Sequence, residues 1–186
     1  NKQWEQITLP HTPFVEPLTV LHQWQGICYY KKKITITPEE AKKHIWIEFE
    51  GAMHLADVWI NGKHVMQHAG GYTPFVVDAT GLLKTDKENE LLVRLDNRNN
   101  SLIPPGKPLE TLDFCYYGGI YRNVHLIAKA DVHITHPILD GHPAGAGIFI
   151  TYPKVSQELS VVDAKTEIKN TSDKEKVVEL RHTLYT

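Results

Sequence analysis

The sequence has few cysteines, little net charge and no long apolar run, and each scarcity excludes a class of protein. Two cysteines, Cys28 and Cys115, are too few for a disulfide scaffold; they could pair in an oxidising compartment, but we expect two buried free thiols. A formal net charge of −2 over 186 residues argues against a nucleic-acid surface. No segment reaches the roughly 20 apolar residues of a membrane span, and no signal peptide is visible. We therefore expect neither nucleic acid nor a membrane as a partner.

Apolar residues instead recur at every second position, which is the period of a half-buried β-strand. Ile45, Ile47 and Phe49 alternate with Trp46 and Glu48, and similar runs follow along the chain. Helical content should be minimal. The sequence therefore predicts an all-β fold.

Two short motifs predict how the chain turns. Asn61-Gly62 separates two apolar runs and supplies the two positive φ angles of a type I′ hairpin. Thr37-Pro38-Glu39-Glu40 combines a helix N-cap, a proline at the first helical position and a capping-box glutamate, which predicts one turn of helix.

A domain boundary is predicted near residues 129–131. Before it, dense strands are joined by loops rich in glycine, proline and asparagine, whereas the later sequence is plainer. There we expect strands at 132–134 and 148–150, then a pair, 165–169 and 176–184, around a polar turn at 170–173. These residues are too few for the roughly 100 of an immunoglobulin-like sandwich.

The strands predicted within residues 131–186 lack their closing partners in this sequence. The apolar residues Val178, Leu180 and Leu184 of this segment should therefore be exposed. We expect this segment either to pair with a second copy of the chain, giving a homodimer, or to be more mobile than the first domain.

Residues 112–124 concentrate side chains that suit a carbohydrate. Asp113 stands beside a cluster of aromatic rings, a Gly118-Gly119 bend and Arg122. A sugar offers hydroxyls to a carboxylate and C–H faces to aromatic rings. On local sequence alone, the alternative for Asp113 is an Asx turn leading into the bend. Arg122 is interpreted as structural, paired to a carboxylate or stacked on a ring.

Two other pairs of residues suit a structural role better than a catalytic or metal-binding one. Glu48 and Glu50 are spaced roughly 7 Å apart on one strand, as a catalytic carboxylate pair can be, but the alternation places them on a solvent face. His64 and His68 lie on or just after a strand, where four residues span about 13 Å, too far for one metal ion.

Six segments in order along the chain resemble the N-terminal pattern of glycoside hydrolase family 2, the β-galactosidase and β-glucuronidase group. They are Trp4 with Leu9-Pro10-His11, then Gly26-Ile27-Cys28-Tyr29-Tyr30-Lys31-Lys32, Phe49-Glu50-Gly51-Ala52, residues 56–62, His68-Ala69-Gly70-Gly71-Tyr72-Thr73-Pro74-Phe75, and residues 112–124. Cys28 and Tyr29 depart from the family's Gly-x-x-Trp-Tyr-Arg-Lys form.

The resemblance implies a jelly-roll sugar-binding domain over residues 1–130 and an incomplete immunoglobulin-like sandwich over residues 131–186. In that family the two catalytic glutamates lie in a barrel, which we expect outside this sequence. We therefore predict no catalytic residue, no metal and no cofactor here. An aspartate at the position of Asp113 reaches into that barrel and contacts hydroxyls of the terminal sugar, so Asp113 is the predicted sugar-binding residue.

The implied function is that of a non-catalytic N-terminal part of a retaining, β-galactosidase-like hydrolase. Its implied partners are a carbohydrate with terminal β-linked galactose or glucuronic acid and the catalytic barrel of the parent chain. A bacterial periplasmic or secreted location is favoured over the cytoplasm. The alternatives are a free-standing carbohydrate-binding module and a purely structural interaction domain.

Overall fold

The computed structural model describes residues 4–15, 23–142 and 146–185. Within those ranges there is no α-helix, only the two 3-10 helices Glu40–Lys42 and Leu109–Thr111, which confirms the all-β prediction. Eleven strands are formed: β1 Ile27–Ile34, β2 His44–Phe49, β3 Leu55–Ile60, β4 Lys63–Ala69, β5 Phe75–Asp78, β6 Asn89–Asp96, β7 Val124–Lys129, β8 Val132–Ile134, β9 Ile148–Val155, β10 Ser160–Thr166 and β11 Ile168–Asn170.

The chain divides into two compact units, residues 1–128 and 129–186. The first contains a four-stranded antiparallel sheet in the order β1-β6-β3-β4 and a three-stranded sheet in the order β5-β2-β7. Because spatial neighbours such as β1 and β6 are distant in sequence, long-range pairing holds the four-stranded sheet together in addition to the β3–β4 hairpin.

Both sheets of the first unit share one hydrophobic core, which makes this unit a β-sandwich. Phe49 of β2 stacks on Phe75 of β5 with ring centroids 4.6 Å apart, and Val58 and Val93 face them from the other sheet. Burying each such side chain contributes about 1.5–3 kcal/mol. Trp46 is also buried, so β2 is covered on both faces, and the simple alternation predicted for it is wrong at this residue.

Both predicted turn motifs of the first unit are confirmed. The β3–β4 hairpin turns at Asn61 and Gly62, whose φ angles are 51° and 80°. At the capping box, the Thr37 backbone N–H donates to Glu40 Oε2 at 2.7 Å, and the Glu40 N–H donates to Thr37 Oγ1 at 3.2 Å. These reciprocal bonds start the single 3-10 turn that follows.

The second unit pairs β9 with β10 and β8 with β11. Strands were predicted correctly at 132–134 and 148–150, and the Asn170 side chain caps a turn by accepting the Ser172 N–H at 3.1 Å. The predicted strand at 176–184 is wrong. A strand needs a hydrogen-bonded partner, and β11, which was expected to pair with this segment, pairs with β8 instead. The expected exposure there is confirmed, since Leu184 is 76% exposed.

Both cysteines are free thiols, as expected, but only one of them is shielded. Burial raises the pKa of the half-buried Cys28 to about 12. Cys115 is exposed, so its predicted burial is wrong, because the loop that carries it runs along the surface. No helix among the described residues is long and apolar enough to cross a membrane.

Candidate functional site

The candidate site is the loop that follows the 3-10 helix Leu109–Thr111 and leads into β7. Two backbone hydrogen bonds fix its far end: His11 N–H donates to the Ile120 carbonyl at 2.8 Å, and Met53 N–H donates to the Gly119 carbonyl at 3.0 Å. The loop is thereby attached to two distant parts of the first unit.

The Gly118-Gly119 bend allows this attachment because neither position has room for a side chain. Gly119 has a φ of 98°, and a β-carbon there would collide with the Tyr30 hydroxyl and lie 2.7 Å from the His11 carbonyl oxygen. At Gly118, a β-carbon would lie 2.9 Å from the Asn97 amide nitrogen. The sequence predicted a bend here, and the structure shows that close packing also requires glycine.

Asn97 is a positioning residue that the sequence did not reveal. It is fully buried, accepts the Gly26 N–H at 2.7 Å and donates to the Trp24 carbonyl at 2.8 Å, while its amide lies against Gly118. It therefore holds the chain before β1 and the candidate loop in one arrangement. In the sequence it looks like an ordinary polar residue after a strand.

Tyr116 anchors the middle of the loop through a reciprocal pair of hydrogen bonds. Its N–H donates to the Gln23 side-chain oxygen at 2.7 Å, and its hydroxyl accepts the Gln23 N–H at 3.1 Å. The ring is buried against Met53 and Leu109. Because these partners are far apart in sequence, no local pattern indicates the pair.

The glycine-rich loop at residues 70–75 meets the candidate loop. The Tyr121 hydroxyl donates to the Gly71 carbonyl, and the Tyr72 hydroxyl donates to the Cys115 carbonyl at 3.2 Å. The Tyr72 ring also contacts the Phe114 ring edge to face. Two of the segments that carry the family resemblance are thus neighbours in space.

Asp113 is exposed at the surface of this anchored loop. None of the described residues hydrogen-bonds its carboxylate, so the Asx turn considered for it, in which the carboxylate accepts a nearby backbone N–H, is not formed. The arrangement is therefore a carboxylate without a hydrogen bond to the described residues on a fixed backbone, with the half-exposed ring of Phe114 beside it in the chain.

Comparison with known proteins assigns the family. The domain described as "Glycosyl hydrolases family 2, sugar binding domain" matches residues 8–130. The chain belongs to glycosyl hydrolase family 2. It is 32% identical to a β-glucuronidase of Formosa agariphila over 90% of its own length and 18% of that enzyme, and 34% identical to a β-galactosidase of Thermoanaerobacter pseudethanolicus over 91% and 23%.

A solved structure agrees with these relatives. The β-glucuronidase of Bacteroides uniformis superimposes with a TM-score of 0.74 at 34% identity, over 91% of this chain and 19% of that one. The chain thus spans about a fifth of the length of each of these relatives.

Arg122 of this family 2 domain is exposed, and among the described residues it makes no ion pair and no ring contact. Neither the pairing nor the stacking expected for Arg122 is formed within those residues. Its side-chain stem instead packs over Gly51, where an added β-carbon would lie 3.1 Å from Arg122 Cδ and 2.9 Å from Tyr121 Cζ. The absence of a side chain at Gly51 thus lets the Tyr121 and Arg122 side chains pack closely against the backbone there.

Glu48 in β2 and Glu50 just after it are half-buried, whereas the alternation predicted a fully solvated face for them. Glu50 accepts hydrogen bonds from the Asn123 side chain and from His125 Nε2, both at 3.1 Å. The bond from His125 is the main cause of a lowered pKa for Glu50. These bonds join the end of β2 to the start of β7, and they occupy both oxygens of the Glu50 carboxylate.

The two histidines of β4 have separate structural contacts. His64 Nε2 lies 3.1 Å from Asp57 Oδ1, whereas the His68 ring stacks on Phe75 with centroids 4.4 Å apart. Over residues 4–15, 23–142 and 146–185, no three His, Cys, Asp or Glu side chains cluster closely enough to hold a metal ion.

A polar cavity of about 260 Å³ lies elsewhere in the first unit. Its lining includes His54, Asp96 and Arg98. Arg98 and Asp96 form an ion pair at 2.7 Å, and hydrogen bonding to Arg98 lowers the pKa of Asp96. Burial lowers the pKa of His54, which keeps its imidazole neutral at pH 7. The charges of Asp96 and Arg98 in the cavity lining thus offset each other.

Proposed function

We propose that this chain is the non-catalytic N-terminal region of a retaining, β-galactosidase-like hydrolase and that Asp113 helps form the sugar site of a catalytic barrel. This proposal is supported mainly by the exposed carboxylate of Asp113, which makes no hydrogen bond to the described residues. The loop that carries it is anchored at both its middle and its far end. Such a carboxylate is available to accept hydrogen bonds from sugar hydroxyls, each stronger than a bond between neutral groups.

The proposal extends to the architecture of both units. We assign a jelly-roll topology to residues 1–130 and the beginning of an immunoglobulin-like sandwich to residues 131–186. The division of the chain at residues 128 and 129 supports this assignment. Asp113 would then lie in the sugar-binding domain and contact the sugar, while the barrel would supply the catalytic residues. The terminal sugar is a β-linked galactose or glucuronic acid, since a β-glucuronidase and a β-galactosidase both match the chain.

The purified chain should hydrolyse neither nitrophenyl β-galactoside nor nitrophenyl β-glucuronide. In the carboxylate pair closest to a catalytic arrangement, Glu48 and Glu50, the Glu50 carboxylate is already hydrogen-bonded to Asn123 and His125. Release of nitrophenol should therefore match the buffer blank. Turnover that resists further purification and disappears in a Glu50→Gln variant would contradict the assignment of catalysis to a separate barrel.

We also propose that the second unit pairs with another copy of the chain. Val177 is 99% exposed and Leu184 is 76% exposed, and apolar residues left in water favour association. Multi-angle light scattering should give a concentration-dependent dimer, and replacing Val178 and Leu180 with serine should restore the monomer. A chain that stays monomeric at high concentration would contradict this pairing.

A further inference from the structure

The rings of Tyr72 and Phe114 form an ordered aromatic pair on the surface. Their centroids are 5.6 Å apart, with an angle of 74° between the ring planes. The two residues are 47% and 48% exposed. An edge-to-face arrangement leaves the flat face of at least one ring available to a ligand.

Hydrogen bonds, rather than burial in the core, hold this pair in place. The Tyr72 hydroxyl donates to the Cys115 carbonyl at 3.2 Å, and the Tyr121 hydroxyl donates to the carbonyl of Gly71, the residue before Tyr72. Both loops are thus fixed before any ligand arrives. A ligand that stacks on these rings loses little affinity to ordering them, because their positions are already set.

The pair adjoins the proposed sugar-contact residue along the chain. Phe114 follows Asp113 directly, and Tyr72 binds the backbone of Cys115, one residue further on. A ligand could contact Asp113 through the hydroxyls of its terminal sugar and the Tyr72–Phe114 pair through the apolar face of the next ring. Glycans and aryl glycosides have this form, because a polar terminal sugar is joined to a second ring with an apolar face.

We propose that Tyr72 and Phe114 form an apolar subsite that stacks on the group attached to the terminal sugar. This inference rests on the proposed function, since it takes Asp113 as the contact of that sugar. The subsite selects for a flat or C–H-rich face in the attached group, which is supplied by an aryl ring or by a second pyranose.

The test measures weak binding to this chain by NMR titration. The probes are methyl, phenyl and glucosyl β-galactosides, with methyl and phenyl β-glucuronides as the second series. We expect the phenyl glycoside to bind about 2- to 10-fold more tightly than the methyl glycoside, as one aromatic contact allows. Phe114→Ala should abolish this ratio. Comparison of the phenyl and glucosyl probes shows which attached ring the subsite prefers.

Two further variants separate the parts of the site. Tyr72→Phe keeps the ring and loses only the bond to Cys115, so it should retain most of the phenyl preference. Tyr152→Ala removes a 63% exposed aromatic ring of the second unit and should leave the ratio unchanged. The NMR spectra of all variants should keep the chemical-shift dispersion of the unsubstituted chain, which shows that the variants fold.

The outcomes distinguish the two proposals. An unchanged phenyl-to-methyl ratio in Phe114→Ala, with weaker binding of both glycosides in Asp113→Asn, would overturn the subsite and support the role of Asp113. A ratio lost in Phe114→Ala, with no effect of Asp113→Asn, would support the apolar subsite and overturn the sugar contact. Failure of every glycoside to bind the parent chain would overturn the subsite.

Discussion

Replacing Gly119 with alanine should lower the free energy of unfolding of the first unit by about 2–6 kcal/mol. The φ angle of 98° alone costs an alanine about 1–3 kcal/mol. The new β-carbon would also collide with the Tyr30 hydroxyl and lie 2.9 Å from Pro13 Cδ, and overpacking of this kind costs a further 1–3 kcal/mol. Urea denaturation followed by tryptophan fluorescence measures the change.

Gly62→Ala is the matched control for this substitution. Gly62 also has a positive φ, 80°, but no heavy atom lies within 4 Å of the position its β-carbon would take. Gly62→Ala should therefore show the backbone strain without the collision. Equal losses of stability in the two variants would contradict the crowding argument. Adding Tyr30→Phe to Gly119→Ala should recover part of the loss, because it removes the crowding hydroxyl.

The parts of the fold that the sequence predicts correctly are governed by neighbouring residues. The type I′ turn depends on the backbone freedom of Asn61 and Gly62, and the capping box depends on Thr37 and Glu40, three residues apart. In each case the interacting groups are close in sequence, so the residue types alone determine the outcome.

The errors arise where distant partners decide the outcome. Residues 176–184 have a strand-like alternation, but their expected partner β11 pairs with β8. Trp46 lies on the face of β2 that the alternation assigns to solvent, and other parts of the chain cover it. Periodicity describes what a segment could bury, whereas long-range pairing determines what it does bury.

The candidate site shows the same division. The acidic residue, the rings and the glycine bend are adjacent in sequence, so their shared chemistry could be recognised directly. Asn97 and Gln23, which hold the loop, could not be found this way, because their hydrogen bonds reach Gly26, Trp24 and Tyr116 across long separations. These supporting residues fix the backbone of the loop without hydrogen-bonding the carboxylate of Asp113.

In the full-length enzyme that we propose, Asp113→Ala should lower kcat/KM by ~10- to 100-fold. A lost charge-assisted hydrogen bond to a sugar hydroxyl costs roughly 1.5–3 kcal/mol. Steady-state kinetics on β-galactosides and β-glucuronides measures the loss, and Asp113→Asn, which keeps an accepting oxygen without the charge, should lie between alanine and the parent. The substrate series with the larger loss identifies the sugar that Asp113 contacts.

Stability should hardly change in Asp113→Ala, because the side chain is exposed and the described residues make no hydrogen bond to it. Surface substitutions of this kind usually alter the free energy of unfolding by less than about 0.5 kcal/mol. Asp86→Ala is the matched control: it removes another exposed aspartate and should alter neither kcat/KM nor the melting temperature. A much lower melting temperature with normal kinetics in Asp113→Ala would instead make Asp113 a structural residue of the loop, and the proposed sugar contact would be wrong.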